Sequence, residues 1–115
     1  MAKPYYEFFC PVKVIAGNAA LEHIPFELAT LGAKRPMIIT DKGVRANGLL
    51  SPIEAAFSTT DAVIGAIFDD VPPDSSLEVV RSAAQLYREK KCDAIIAIGG
   101  GSVTDTSKAT NILVS

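Results

Sequence analysis

The sequence predicts an α/β domain, a parallel sheet with helices on its faces. Three apolar runs, residues 36–40, 61–68 and 94–98, alternate with segments of helical periodicity. The last run, AIIAI, has five consecutive apolar residues, three of them isoleucine, as a strand buried on both faces requires. It opens directly onto Gly99-Gly100-Gly101-Ser102, a sharp turn followed by a residue able to cap a helix. Crossovers between such strands are right-handed.

Each element has its own signal. Residues 8–15 (FFCPVKVI) read as extended chain interrupted by Pro11, which suits two short strands or an edge strand. Gly17-Asn18 marks a turn. Leu21, Ile24, Leu28 and Leu31 recur at helical spacing with Pro25 inside the pattern. A short first turn and a helix restarting at Pro25 are therefore predicted, closed by Gly32. The strand 36–40 stops at Asp41-Lys42-Gly43, and residues 49–57 form a weakly amphipathic helix. Residues 61–68 give a third strand and 69–74 a loop. Ser75-Ser76-Leu77-Glu78 reads as a capping box, with Ser75 as cap and Glu78 reaching back. Leu77, Val80, Ala84 and Tyr87 form the buried stripe of that helix, and Glu89-Lys90-Lys91 solvates its end. The last helix runs from Ser102 toward the final residue. No internal repeat, linker or low-complexity segment interrupts this order.

Composition narrows the function classes. A chain of 115 residues is one domain at most, able to bury roughly two-thirds of its unfolded surface. Its 49% hydrophobic content argues against disorder. Eleven basic and 13 acidic residues give a net charge of −2 with no basic cluster, which argues against nucleic acid or an anionic membrane as partner. Cys10 and Cys92 lack metal or redox spacing and read as reduced thiols of a cytoplasmic protein. Residues 1–9 carry a lysine, a proline and a glutamate where a signal peptide needs an apolar segment. The apolar stretches are too short to span a bilayer. The chain stops 13 residues after Ser102, on the apolar run Ile112-Leu113-Val114, so the expectation is the N-terminal part of a longer protein.

The chemistry concentrates at the glycines. A glycine turn at the carboxyl end of a parallel strand, leading into a helix N-terminus, suits a phosphate or pyrophosphate. The run matches neither G-x-G-x-x-G nor a Walker A loop. Asp41 comes earlier in the chain than the acidic residue that usually follows such glycines, yet it too ends a predicted strand. Carboxyl ends of parallel strands share one edge, so Asp41 could accept ribose hydroxyls while the glycines hold the pyrophosphate. The residues alone leave a plain turn at Asp41, and a plain tight turn at the glycines, as open alternatives.

The run Ala97-Ile98-Gly99-Gly100-Gly101-Ser102-x-x-Asp105-x-x-Lys108-Ala109 resembles the signature of the iron-containing (group III) alcohol dehydrogenases. Ile38-Ile39-Thr40-Asp41-Lys42-Gly43 is similar to that family's first strand and acidic turn. Val71-Pro72-Pro73-Asp74-Ser75 is similar to its Val-x-Pro-Asn-Pro loop. Residues 6–17 and 92–95 match the family's opening and the approach to its glycine strand. The resemblance spans essentially the whole chain. It implies the N-terminal portion of a Rossmann-like parallel sheet with flanking helices, of the dehydroquinate-synthase-like superfamily.

The resemblance also implies an oxidoreductase that moves hydride between NAD and a short-chain alcohol or aldehyde. Asp41 would bind the adenosine ribose and favour NAD over NADP, and Gly99, Gly100, Gly101 and Ser102 would cradle the pyrophosphate. Asp74 stands where the family has an asparagine near the cofactor, and Asp105 and Lys108 match signature positions. Those last two lie three apart on a helix, so pairing with each other or bracing the loop stands as the alternative to cofactor contact. The family's divalent metal, iron or alternatively zinc, is held by an aspartate and three histidines of a second, helical domain. This chain has one histidine, His23, read as solvated or structural. No catalytic or metal-binding residue is therefore assigned within it, and alone it is expected to be inactive. Two departures touch the cofactor: a carboxylate at Asp74, and Ala19 near a position usually glycine. A glycerol dehydrogenase or dehydroquinate synthase relative, or a non-catalytic nucleotide-binding module, is the alternative. The strand at residues 8–15 could also pair between copies in a homo-oligomer.

Overall fold

A computed structural model describes residues 5–10, 13–18, 29, 32–48, 50–58, 60–72 and 76–114, the first two segments as backbone. Five strands form one sheet in the order β2-β1-β5-β3-β4. They are β1 (Tyr5–Cys10), β2 (Lys13–Asn18), β3 (Pro36–Ile39), β4 (Ala66–Phe68) and β5 (Ala94–Ile98). The helices are α1 (Lys42–Ala46), α2 (Ser51–Phe57), α3 (Leu77–Glu89) and α4 (Gly101–Val114). β3 pairs in parallel with both β4 and β5, the parallel sheet that the apolar runs predict. β1 and β2 pair with each other and extend that sheet as an antiparallel hairpin, with Phe8 opposite Ile96 of β5. Two short strands around Pro11 are thus present. The turn expected at Gly17-Asn18 is not: both residues end β2, opposite Tyr6 and Tyr5.

β3 and β5 are buried along their whole length, and side-chain alternation splits their residues between two cores. Ile38, Ile96 and Ile98 face one side and meet Ala33, Leu50, Ile53 and Phe57, the last two from α2. Met37, Ile39, Ile95 and Ala97 face the other side and meet Phe68, Val71, Ala83, Tyr87 and Val103. Helices on both faces are what continuous apolar strands demand. α4 buries Thr106, Ser107 and Thr110 alongside Val103. Their polarity is tolerated because Ser107 and Thr110 donate their hydroxyls to the carbonyls of Val103 and Thr106, each at 2.8 Å.

Several boundaries differ from the sequence expectation. The strand over 61–68 shrinks to Ala66–Phe68, although Val63 and Gly65 still donate to the carbonyls of Lys34 and Pro36 at 2.9 and 2.8 Å. Gly65 is pressed against Cys92: a Cβ there would lie 2.8 Å from the Cys92 sulfur. Burial pushes that half-buried thiol up to about 11, so it stays protonated at neutral pH. α3 is capped by Ser76, whose Oγ accepts from Val79 N at 3.3 Å. With Ser76 as cap, Glu78 falls at the second helical position and the capping box does not form. Leu77 is 59% exposed, and the buried stripe runs through Val80, Ala83, Ala84 and Tyr87. Ser75 and most of the helix expected before Gly32 lie outside the described residues. Ala29 is helical, and Gly32 follows it at φ +78°.

Candidate functional site

The parallel strands deliver their carboxyl ends to one edge, and Thr40 locks that edge together. Fully buried, it donates its hydroxyl to the carbonyl of Ile98 at 2.6 Å, and its backbone N–H to Phe68 at 2.8 Å. One residue thus ties β3 to both neighbours immediately before the chain leaves the sheet. Sequence reasoning passes over it, because a strand-ending threonine carries no signal of its own.

Asp41 comes next. Its backbone is extended, and Oδ1 accepts from Val44 N at 2.8 Å, capping the five-residue helix α1. Sequence reasoning takes residues 41–43 for a turn; the structure continues them into that helix. Oδ2 lies on the other side, toward the glycines: a Cβ on Gly99 would come within 3.5 Å of it. The structure therefore brings Asp41 and the glycine turn together across a 58-residue separation.

The three glycines are not equivalent. Gly99 sits at φ +151°, and a Cβ there would strike Val103 Cγ2 at 2.8 Å. Glycine is required at that position by backbone and packing alike. Gly100 and Gly101 have negative-φ backbone, and a Cβ on either would meet nothing within 4 Å. They border an open cleft of about 520 Å³, and α4 starts at Gly101, so its first N–H groups lie at this edge.

The cleft is lined by Asp41, Lys42 and Gly43 after β3, by residues 69–72 after β4, and by residues 100–103 after β5. Val71 and Val103 give it a buried apolar side. Its rim carries an ion-pair network that no sequence signal announces. Lys42 Nζ lies 2.8 Å from Asp70 and 3.5 Å from Asp69, and Arg45 Nη1 lies 2.8 Å from the other oxygen of Asp69. The Arg45 hydrogen bond holds the Asp69 carboxyl below its ordinary range against the opposing effect of partial burial. The Asp70 hydrogen bond raises Lys42.

Among the residues singled out from sequence, Asp41, Gly100, Gly101 and Ser102 line the cleft, and Gly99 stands beside Asp41. Asp105 and Lys108 are exposed on α4, beyond the residues that line the cleft. The ion pairs among the described residues fall elsewhere, on Lys42, Arg45, Asp69 and Asp70. Asp74 and His23 lie outside the described residues. Among the described residues, no three His, Cys, Asp or Glu side chains are grouped to hold a metal ion. No helix among them is long and apolar enough to cross a membrane.

A family model for iron-containing alcohol dehydrogenase matches residues 11–115. The 4-hydroxybutyrate dehydrogenase of Cupriavidus necator is 36% identical over 96 residues, covering 84% of this chain and 24% of that protein. The NAD-dependent methanol dehydrogenase of Bacillus methanolicus is 32% identical over 109 residues, covering 94% of this chain and 28% of that protein. Among solved structures, a maleylacetate reductase from Agrobacterium tumefaciens shares the fold at a TM-score of 0.65 and 22% identity. That match covers 81% of this chain and 25% of the reductase. The chain spans about a quarter of the length of the curated relatives it matches.

Proposed function

The chain belongs to the iron-containing alcohol dehydrogenase family, and from that premise we propose that it is the NAD-binding portion of an oxidoreductase acting on a short-chain alcohol or aldehyde. One observation carries the reading: Gly100 and Gly101 leave open space at the N-terminus of α4, in the same cleft as Asp41. Backbone without side chains lets a pyrophosphate approach closely, and the start of α4 presents it with backbone N–H groups and a favourable dipole. Ser102 adds a hydroxyl at the same rim.

Asp41 is rigidly placed because one oxygen caps α1, leaving its other oxygen on the glycine side. A carboxylate there accepts from a ribose 2′-hydroxyl and repels a 2′-phosphate. Gly99 keeps the turn tight against Val103, and Thr40 fixes the spacing of the strand ends. NAD, when bound, supplies the hydride acceptor. The part of the cleft residues in this reading is to hold and orient the dinucleotide. The small alcohol or aldehyde would be met by the remainder of a full-length enzyme.

Calorimetric titration of this chain tests the reading. NAD should bind saturably, and AMP at least tenfold more weakly, because AMP lacks the pyrophosphate that the glycines and α4 address. Equal affinities for the two would overturn it.

A further inference from the structure

The ion pairs at the cleft rim are poor stabilisers. Lys42 is 74% exposed and Asp70 64% exposed, and surface pairs of that kind contribute little to stability. Their effect lies in where they fix charge. Lys42 follows Asp41 directly, and both line the cleft with Asp69 and Asp70. Lys42 and Arg45 would be available to an incoming anion if they were free. Instead Lys42 is shared by Asp70 and Asp69, and Arg45 is held by Asp69. Three carboxylates (Asp41, Asp69 and Asp70) face two cations, leaving one net negative charge around Asp41.

We infer that Asp69 and Asp70 act as specificity-determining positioning residues: by holding Lys42 and Arg45, they keep a cationic site for a ribose 2′-phosphate from forming beside Asp41. The inference rests on the reading of the cleft as a dinucleotide site. Asp41 alone opposes a 2′-phosphate with a single charge at an open rim, where solvent and salt weaken it. The aspartate pair adds to that charge and also occupies the groups that could neutralise the phosphate. Replacing both by asparagine turns the local balance from one negative to one positive charge and frees a lysine and an arginine, the residue types that bind phosphate. The short distances within the network, 2.8 Å on each side, make the restraint geometric as well as electrostatic.

Titrating this chain with NAD and NADP by calorimetry tests the inference. Relative to NAD, NADP affinity should rise at least fivefold in the Asp69→Asn/Asp70→Asn double variant. Raising the salt concentration should shrink that gain, and adding Lys42→Ala and Arg45→Ala should remove it. Asp70→Glu, which keeps the charge, should stay near the unsubstituted ratio. A double variant that binds NAD with an NADP/NAD ratio within twofold of the original overturns the inference alone. A gain that survives loss of both cations also overturns it. Failure of the unsubstituted chain to bind NAD overturns the underlying site assignment instead.

Discussion

At the amino ends of β3 and β5 the backbone is clamped; at their carboxyl ends it is open. On the amino side the Asp93 carboxylate accepts from the N–H groups of Lys34 and Arg35 at 2.7 and 2.8 Å. Asp93 N donates to Arg35 O at 2.9 Å, and the Arg35 guanidinium donates twice to the carbonyl of Lys90, at 3.1 and 2.8 Å. Side chains there satisfy the backbone of neighbouring segments and hold the strands in register. On the carboxyl side, Gly100 and Gly101 have no neighbour within 4 Å of where a Cβ would stand. Thr40, the Asp41 cap and the ion pairs of Lys42 and Arg45 with Asp69 and Asp70 brace the rest of that edge. One end of the sheet holds the strands in place, and the other leaves room at the edge where parallel sheets bind ligands.

That division predicts separable effects. The largest belongs to the clamp. Asp93→Ala removes the acceptor of two backbone N–H groups and should lower folding stability by about 2 kcal/mol, read by urea denaturation. NAD affinity of the folded fraction should stay within twofold, since Asp93 lies at the far end of the strands. A tenfold loss of NAD affinity would show that the two ends are coupled.

Gly100→Val is the converse. The backbone at Gly100 accepts a side chain and the space around it is open, so stability should change little. The added side chain would stand where the pyrophosphate is proposed to lie. NAD affinity should fall at least tenfold, about 1.4 kcal/mol or more, by calorimetry. Unchanged binding by the folded variant would remove the glycines from the site.

Lys91→Gly sharpens the amino side. α3 closes there with Lys91 at φ 55°, while Lys91 N donates to Arg88 O and Cys92 N to Tyr87 O, at 3.2 and 3.0 Å. This is a Schellman closure with lysine at the left-handed position that glycine favours. Relieving that conformation should raise stability by about 1 kcal/mol, visible as a higher Tm, with NAD affinity untouched.

The same division explains what could be read from the sequence. β5, β3 and the glycine turn were legible because burial on both faces leaves an unbroken apolar run and a tight turn leaves glycines. The cap of α3 lies one residue beyond the one the sequence suggests, because two adjacent serines carry the same capping chemistry and the pattern cannot choose between them. The strand expected over 61–68 is shorter in the structure: residues 62–68 (AVIGAIF) carry no polar side chain, but only Ala66–Phe68 are paired with β3 in the ladder. α1 has five residues, too few for a periodic signal. The Asp93 clamp, the Thr40 bridge and the Asp69–Arg45 pair join residues 24 to 59 positions apart, and a linear pattern holds no record of them.

The smallest predicted effect separates the two roles of Asp41. Its Oδ1 caps α1, a local role that a turn residue could fill without any ligand. Its Oδ2 faces Gly99, the orientation that a ribose-reading carboxylate would need. Asp41→Gly distinguishes them, because glycine is itself an acceptable N-cap and costs only a few tenths of a kcal/mol relative to aspartate. Stability should therefore barely move. If the carboxylate also opposes a 2′-phosphate, its removal should narrow the NAD/NADP preference at least threefold, about 0.7 kcal/mol, chiefly through tighter NADP binding. The effect is modest because Asp69 and Asp70 remain in place and still hold Lys42 and Arg45. An unchanged ratio of dissociation constants would leave Asp41 as a helix cap alone, and the open edge would then owe its nucleotide contacts to the glycines and α4.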